Sequence, residues 1–123
     1  MKKVICIDDD VMQRRYYSLV FKRMRMKLDI YSNPEEALNY LNTINKIDIG
    51  LIITDYRMPF INGCELIKRL RSKIKLHIPI IMVTSQNKHE IGEIQSVSNW
   101  ITKFLNKPVN HIEFQDLILQ ILN

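Results

Sequence analysis

The chain has few cysteines and no long apolar run, and both shortages restrict its class. Its two cysteines, Cys6 and Cys64, are far apart and lack the spacing of a metal-binding motif. We interpret Cys6 as a small core residue, and a disulfide has no independent support. The apolar opening is cut short by three aspartates, so we expect no signal peptide, and no later run approaches a membrane span. We expect a cytoplasmic protein without a membrane partner.

Internal repeats, low-complexity tracts and linker-like stretches are also missing. The 123 residues can build one hydrophobic core but not two. The hydrophobic share of 46% and the charged share of 25% are those of an ordinary globular protein. We predict one domain over residues 1–123.

The formal net charge of +5 is one signature of nucleic-acid binding. The cations form two runs, around 22–27 and 68–75, and each run falls in the C-terminal half of a predicted helix. Cations favour the dipole at that end of a helix. Solvated helix ends explain both runs better, so we expect no direct nucleic-acid binding from this domain.

Short apolar runs alternate with helical stretches, which is typical of βα units around a parallel sheet. The predicted strands are Lys3–Ile7, Leu28–Tyr31, Ile49–Thr54, Ile78–Val83 and Lys103–Leu105. The predicted helices are Val11–Met26, Pro34–Asn42, Cys64–Ser72, Asn87–Ser98 and a last helix that ends at Leu122. Asn33 with Glu36, and Asn110 with Glu113, have the spacing of helix capping boxes.

Three consecutive acids, Asp8, Asp9 and Asp10, follow the first predicted strand. Adjacent carboxylates repel one another and resist desolvation, and a divalent cation is the usual reason to keep them there. A single acid could instead cap the next helix, a role open to Asp9 or Asp10. From these acids alone, the metal and the cap interpretations stay about even.

Three further polar residues end predicted strands, namely Asp55, Thr84 and Lys107, and this is the edge where open α/β sheets place their sites. Each has an ordinary explanation: a strand-end acid, a helix cap, or an exposed cation before a proline. The Lys107-Pro108 bond is also a candidate cis peptide. Together with the acidic run, the four strand ends favour a site for Mg²⁺ and a phosphoryl group.

The segments that carry these residues resemble the receiver domains of two-component response regulators, including the chemotaxis regulators. The matching segments are Ile7-Asp8-Asp9, Asp55–Pro59 with Gly63, Val83-Thr84-Ser85 and Lys107-Pro108. The resemblance covers the whole chain, and Arg14 lies where receivers often carry an arginine on the first helix. It implies a flavodoxin-like (βα)₅ fold, a doubly wound five-stranded parallel sheet with strand order 2-1-3-4-5.

The resemblance also implies the roles of the acids. Asp55 would accept a phosphoryl group from a phosphohistidine of a histidine kinase or a histidine phosphotransfer protein. Asp8 and Asp9 would hold Mg²⁺, joined by an Asp55 oxygen and the backbone carbonyl of Arg57. The protein would then catalyse only its own phosphorylation and dephosphorylation.

Three more roles follow from the resemblance. Thr84 and Lys107 would bind phosphoryl oxygens, and Thr84 would also move with Phe104, the switching aromatic, which here lacks the hydroxyl of the common tyrosine. The output face would be formed by the fourth helix, the fifth strand and the fifth helix, with an output partner that the sequence does not name. A dimer that forms on phosphorylation is also compatible with the family. Trp100 replaces a frequent glycine, from which we predict a different end of the fourth helix, with Asn99 in the left-handed region.

Two other functional classes are alternatives to the phosphoacceptor. One is a pseudo-receiver that only docks and is never phosphorylated, and the complete set of site residues argues against it. The other is a phosphatase of the haloacid dehalogenase type. That class carries its aspartyl nucleophile on the first strand and adds a cap, whereas Asp55 follows the third predicted strand and the chain has no room for a cap.

Overall fold

The computed structural model describes residues 2–43 and 48–123. Five parallel strands form one sheet in the order β2-β1-β3-β4-β5, which confirms the predicted flavodoxin-like order. The strands are β1 Lys3–Ile7, β2 Leu28–Tyr31, β3 Ile49–Thr54, β4 Ile80–Thr84 and β5 Lys103–Asn106. β3 and β4 are buried along their whole length, as expected for strands covered on both faces.

Within residues 2–43 and 48–123, four α-helices flank the sheet: α1 Val11–Arg23, α2 Pro34–Thr43, α3 Gly63–Ser72 and α4 His111–Leu122. α1 and α4 cover one face of the sheet, where the rings of Tyr17, Phe21 and Phe114 meet. α2 and α3 cover the other face. Both cysteines are buried free thiols, which confirms the core interpretation of Cys6. Within the described ranges, no helix combines the length and the apolar character needed to cross a bilayer.

The predicted helix Asn87–Ser98 is wrong. That part of the chain instead forms three separate 3₁₀ turns, Lys88–Glu90, Ile94–Ser96 and Ser98–Trp100. The reason lies in the apolar spacing, because Ile91, Ile94 and Val97 recur every third residue and all three are buried. Three residues per turn is the period of a 3₁₀ helix, so 3₁₀ turns align these side chains, whereas an α-helix of 3.6 residues per turn would place them at different angles around its axis. We call residues 88–100 the 3₁₀ segment.

The first and fourth βα units also differ from the prediction at their boundaries. α1 ends at Arg23 rather than Met26, because Arg25 takes a left-handed conformation with φ 57°. The amides of Arg25 and Met26 then donate to the carbonyls of Lys22 and Phe21, the bond pattern of a Schellman motif. β4 begins at Ile80, two residues later than predicted. The prediction for Asn99 is wrong, since the positive φ values among the described non-glycine residues belong to Arg25, Phe60 and Lys75.

The asparagine N-caps of α2 and α4 form as predicted, but among the described residues neither Glu36 nor Glu113 returns the second bond of a capping box. The Asn33 side chain accepts a hydrogen bond from the Glu35 amide at 2.8 Å. The Asn110 side chain accepts one from the Glu113 amide at 3.0 Å. Both bonds satisfy amides that have no partner inside the helix, so the polar sequence between strand and helix fixes where each helix begins.

Candidate functional site

Three carboxylates meet at the carboxyl edge of the sheet. β1 and β3 are neighbours, with Ile7 in register with Thr54, so Asp8 and Asp55 follow at the same level. One oxygen from each of Asp8, Asp9 and Asp55 lies within 4.8 Å of the others. The structure thus brings together the three side chains that the sequence predicted as metal ligands.

The three acids differ in burial. Asp8 is 0% exposed and Asp55 is 7% exposed, whereas Asp9 is open to solvent. Burial raises the pKa of Asp8 above its ordinary value, although a hydrogen bond from the Asp10 amide and the contact with Lys107 oppose the shift. An ionised Asp8 is therefore held at a cost to the fold, which is typical of a functional position.

Lys107 joins the two buried acids. Its Nζ atom lies 2.8 Å from Asp55 Oδ2 and 3.0 Å from Asp8 Oδ2. Burial alone would lower the pKa of Lys107, but the hydrogen bonds to Asp55 and Asp8 outweigh it and the net shift is upward. Its amide donates to the Thr84 carbonyl at 2.9 Å, and the Lys107-Pro108 bond is cis, as anticipated. Lys107 is therefore a charged ammonium fixed at the centre of the site.

The oxygen donors of this cluster fit a hard divalent cation. Asp8 Oδ2 is buried, and among the described residues its partner is the Lys107 ammonium at 3.0 Å. Mg²⁺ prefers carboxylate oxygens, takes few of them and keeps several waters. Asp8, Asp9 and Asp55 could supply those ligands with Asp9 facing solvent, and the carbonyl of Arg57 stays a predicted ligand.

The loop after β1 is held in shape by its own polar groups. The Asp10 side chain accepts from the Met12 amide and caps α1, so the cap interpretation is confirmed for Asp10. The Asp10 amide donates to Asp8 Oδ1 at 2.9 Å. Arg14 Nη1 donates to the Asp8 carbonyl at 3.1 Å. Asp10 and Arg14 therefore orient Asp8, which leaves Asp8 and Asp9 for the metal.

The loop after β3 returns tightly onto its own start. The Gly63 amide donates to the Tyr56 carbonyl at 2.7 Å, and the Tyr56 amide donates to Asp55 Oδ1 at 2.6 Å. A Cβ atom at position 63 would overlap the Asp55 carbonyl oxygen. Only glycine fits this approach, which explains its place in the Asp55–Pro59 and Gly63 pattern.

Thr84 and Phe104 lie on one face of the sheet. β4 and β5 pair Met82 with Phe104 and Thr84 with Asn106, so these four side chains share a face. Thr84 is 1% exposed, and its hydroxyl oxygen accepts from the Gln86 amide at 3.4 Å. The hydroxyl proton remains available to an acceptor. Phe104 is half-buried against the core on the side of the 3₁₀ segment.

Two residues beside the site were missed from the sequence. Tyr56 donates its hydroxyl to Glu93 in the 3₁₀ segment at 3.4 Å. Asn106 donates from Nδ2 to the carbonyls of Thr84 and Gln86. Tyr56 adjoins Asp55 in the sequence, and Asn106 adjoins Lys107. This adjacency is the signal from which both residues could have been predicted.

The family is identified by a family model that covers nearly the whole chain. The model of the response regulator receiver domain matches residues 4–119 of the chain. The chain belongs to this family. As a receiver domain of the two-component type, it shares 27% identity with the two-component response regulator ARR17 of Arabidopsis thaliana, over 98% of this chain and 84% of that protein.

Bacterial and archaeal proteins are also similar to this receiver domain. The chemotaxis protein CheY-3 of Vibrio cholerae is 29% identical over 86% of this chain and 80% of that protein. The structure of the chemotaxis response regulator CheY4 of Vibrio cholerae has a TM-score of 0.83, with 25% identity over 99% of each chain. A receiver domain from Methanospirillum hungatei has a TM-score of 0.85 at 21% identity, which supports the fold alone.

Proposed function

We propose that this receiver domain is a Mg²⁺-dependent phosphoacceptor, and that Asp55 is the residue that accepts the phosphoryl group. The observation that carries the proposal is the pair of contacts from one ammonium, Lys107, to Asp55 and Asp8 within a cluster of three carboxylates. A cation in this position neutralises both the acceptor and an incoming phosphoryl oxygen.

The proposed reaction is an in-line transfer. A carboxylate oxygen of Asp55 attacks phosphorus while the bond from phosphorus to the donor's imidazole nitrogen breaks. The nitrogen keeps the electron pair and later takes a proton. Such a loose transition state needs positioning and charge neutralisation rather than a proton-transfer triad.

The other groups divide that task. Lys107 and the Thr84 hydroxyl would each bind one phosphoryl oxygen, and the backbone around Tyr56 and Gly63 fixes Asp55 for in-line attack. Mg²⁺, when bound, would supply positive charge to the oxygens of the transferring group. The same groups would serve hydrolysis of the acyl phosphate, so the domain would catalyse only its own phosphorylation and dephosphorylation.

The donor in this proposal is a phosphohistidine of a histidine kinase or a histidine phosphotransfer protein. Phosphorylation would then alter the face formed by the 3₁₀ segment, β5 and α4, through Thr84 and Phe104. Two features support this choice of face. Thr84 and Phe104 lie on the same side of the sheet, and the 3₁₀ segment packs on that side through only a few buried side chains.

Intact-mass spectrometry after incubation with acetyl phosphate and Mg²⁺ tests the proposal. We expect one phosphoryl group on the wild type and none on Asp55→Asn, because the amide has the same shape but cannot form an acyl phosphate. Asp29→Asn, at a paired acid on β2, is the matched control and should be phosphorylated normally. Equal incorporation in Asp55→Asn would remove Asp55 from the mechanism, and no incorporation in any protein would favour the pseudo-receiver.

A further inference from the structure

Asn106, the last residue of β5, bonds to the turn that carries Thr84. Its Nδ2 atom donates to the Thr84 carbonyl at 3.2 Å and to the Gln86 carbonyl at 2.7 Å. One side-chain amide thus uses both of its hydrogens on the backbone of residues 84–86. The side chain is exposed, so burial does not explain its position.

The turn depends on few other contacts. The Thr84 carbonyl also accepts from the Lys107 amide at 2.9 Å, and the Gln86 amide reaches the Thr84 hydroxyl at 3.4 Å. The second contact is at the long limit for a hydrogen bond and is weak. The shorter bond from Asn106 to the Gln86 carbonyl therefore contributes most to fixing the position of Gln86. The position of Gln86 in turn determines the direction from which a ligand can reach the Thr84 hydroxyl.

We propose that Asn106 is a positioning residue for phosphoryl binding and acts through Thr84. Its two bonds hold the turn after β4 so that the Thr84 hydroxyl stays at the strand end with its proton directed to the phosphoryl group. Without Asn106 the turn has more conformations, and the hydroxyl loses part of its contribution. The inference rests on the proposed function of Asp55.

A double-mutant cycle tests this mechanism. The measured quantity is the rate of phosphorylation by acetyl phosphate at saturating Mg²⁺ in wild type, Asn106→Ala, Thr84→Ala and the double variant. We expect Asn106→Ala to slow the reaction about fivefold when Thr84 is present, equivalent to about 1 kcal/mol, and less than about twofold in the Thr84→Ala background. Equal slowing in both backgrounds, or no slowing in either, would overturn the proposal.

Magnesium affinity separates positioning from general damage to the site. Asn106 touches none of the three acids, so the Mg²⁺ dissociation constant of Asn106→Ala should equal that of the wild type. A change in both rate and Mg²⁺ affinity would show that the whole site is distorted and would overturn the specific role. Asn106→Ser provides a second variant at this exposed strand end, and Asn99→Ala, an exposed amide near the other end of β5, is the matched control.

The outcomes distinguish this inference from the proposed function. If the wild type takes up no phosphoryl group, the function of Asp55 fails and the role of Asn106 fails with it. If the wild type is phosphorylated and the cycle shows no coupling between Asn106 and Thr84, only the inference fails.

Discussion

The Nζ atom of Lys107 lies 2.8 Å from Asp55 Oδ2, and the same ammonium reaches Asp8 on the neighbouring strand. One cation therefore occupies space between two carboxylates that a divalent metal would also approach. A metal bound at the proposed site would share Asp8 and Asp55 with Lys107. Removal of the Lys107 ammonium should therefore change how strongly the site binds a metal.

Replacing Lys107 by methionine should strengthen Mg²⁺ binding while it slows phosphorylation. Loss of the ammonium leaves two buried carboxylates without their cation, and we expect the Mg²⁺ dissociation constant to fall about tenfold. Titration calorimetry and acetyl phosphate kinetics measure the two effects. Lys103→Met, an exposed cation on β5, should change neither. Weaker Mg²⁺ binding in Lys107→Met would contradict the shared geometry.

Removing Mg²⁺ with a chelator should block both gain and loss of the phosphoryl group. The same charges stabilise the transition states of both reactions, so neither should proceed at a comparable rate without the metal. Mass spectrometry of the protein before and after chelation follows both reactions. A phosphorylated protein that hydrolyses equally fast with and without Mg²⁺ would disprove this prediction.

Asp9→Ala should weaken Mg²⁺ binding far more than Asp10→Ala. Asp9 has an oxygen in the carboxylate cluster, whereas the Asp10 side chain accepts from the Met12 amide and caps α1. The Asp10 variant should lose only the stability that a helix cap provides. Calorimetric titration of both variants makes the comparison at adjacent positions. Equal affinities would place Asp9 outside the metal site.

Asp8→Asn should stabilise the protein in metal-free buffer while it impairs Mg²⁺ binding. Burial raises the pKa of Asp8 above the value of about 3.9 for an unfolded chain. The native state therefore binds the proton more tightly, and stability is lost as pH rises from the unfolded value through the raised native value. At pH 7 we therefore expect the variant to unfold at a higher temperature than the wild type.

Thermal unfolding at pH 7 and pH 4 checks the sign of this effect. The advantage of Asp8→Asn should shrink at pH 4, where more of the wild-type Asp8 is protonated. Asp9→Asn, at the exposed acid of the same cluster, should gain less. A destabilised Asp8→Asn at pH 7 would show that the contact with Lys107 outweighs the cost of burial.

Beryllofluoride, a mimic of the aspartyl phosphate, should alter amide hydrogen exchange most between Thr84 and Leu105. This range holds the 3₁₀ segment, which we propose as the part that switches because few buried contacts hold it. Exchange with and without the mimic gives the difference for each peptide. Changes restricted to the surroundings of Asp8 and Asp55 would mean that binding is not relayed to the proposed output face.

Much of the site could be predicted from the sequence because each functional side chain follows an apolar strand. Parallel strands of similar length end at one edge, so the residues after β1, β3, β4 and β5 converge without any further information. The site positions of Asp8, Asp55 and Lys107 followed in this way. The chemistry assigned to them came from the resemblance to receivers.

The remaining features depend on details that local patterns do not show. Arg25 ends α1 in a left-handed conformation that glycine usually adopts, so no residue pattern indicated the end of the helix. The stripe of Ile91, Ile94 and Val97 has a spacing of three, which fits part of an α-helical pattern equally well. The two carbonyls that accept from Asn106 become its partners only when β4 and β5 lie side by side.

The three turns of the 3₁₀ segment also set the distance that the segment spans. A 3₁₀ helix rises about 2.0 Å per residue and an α-helix about 1.5 Å, so winding the three turns into an α-helix would shorten them by roughly 4–5 Å. Both ends of the segment lead into paired strands, since β4 precedes it and β5 follows it in the same sheet. The segment therefore connects two strands whose positions are fixed by the sheet. Any signal that winds the segment into an α-helix must therefore extend the short connections at its ends.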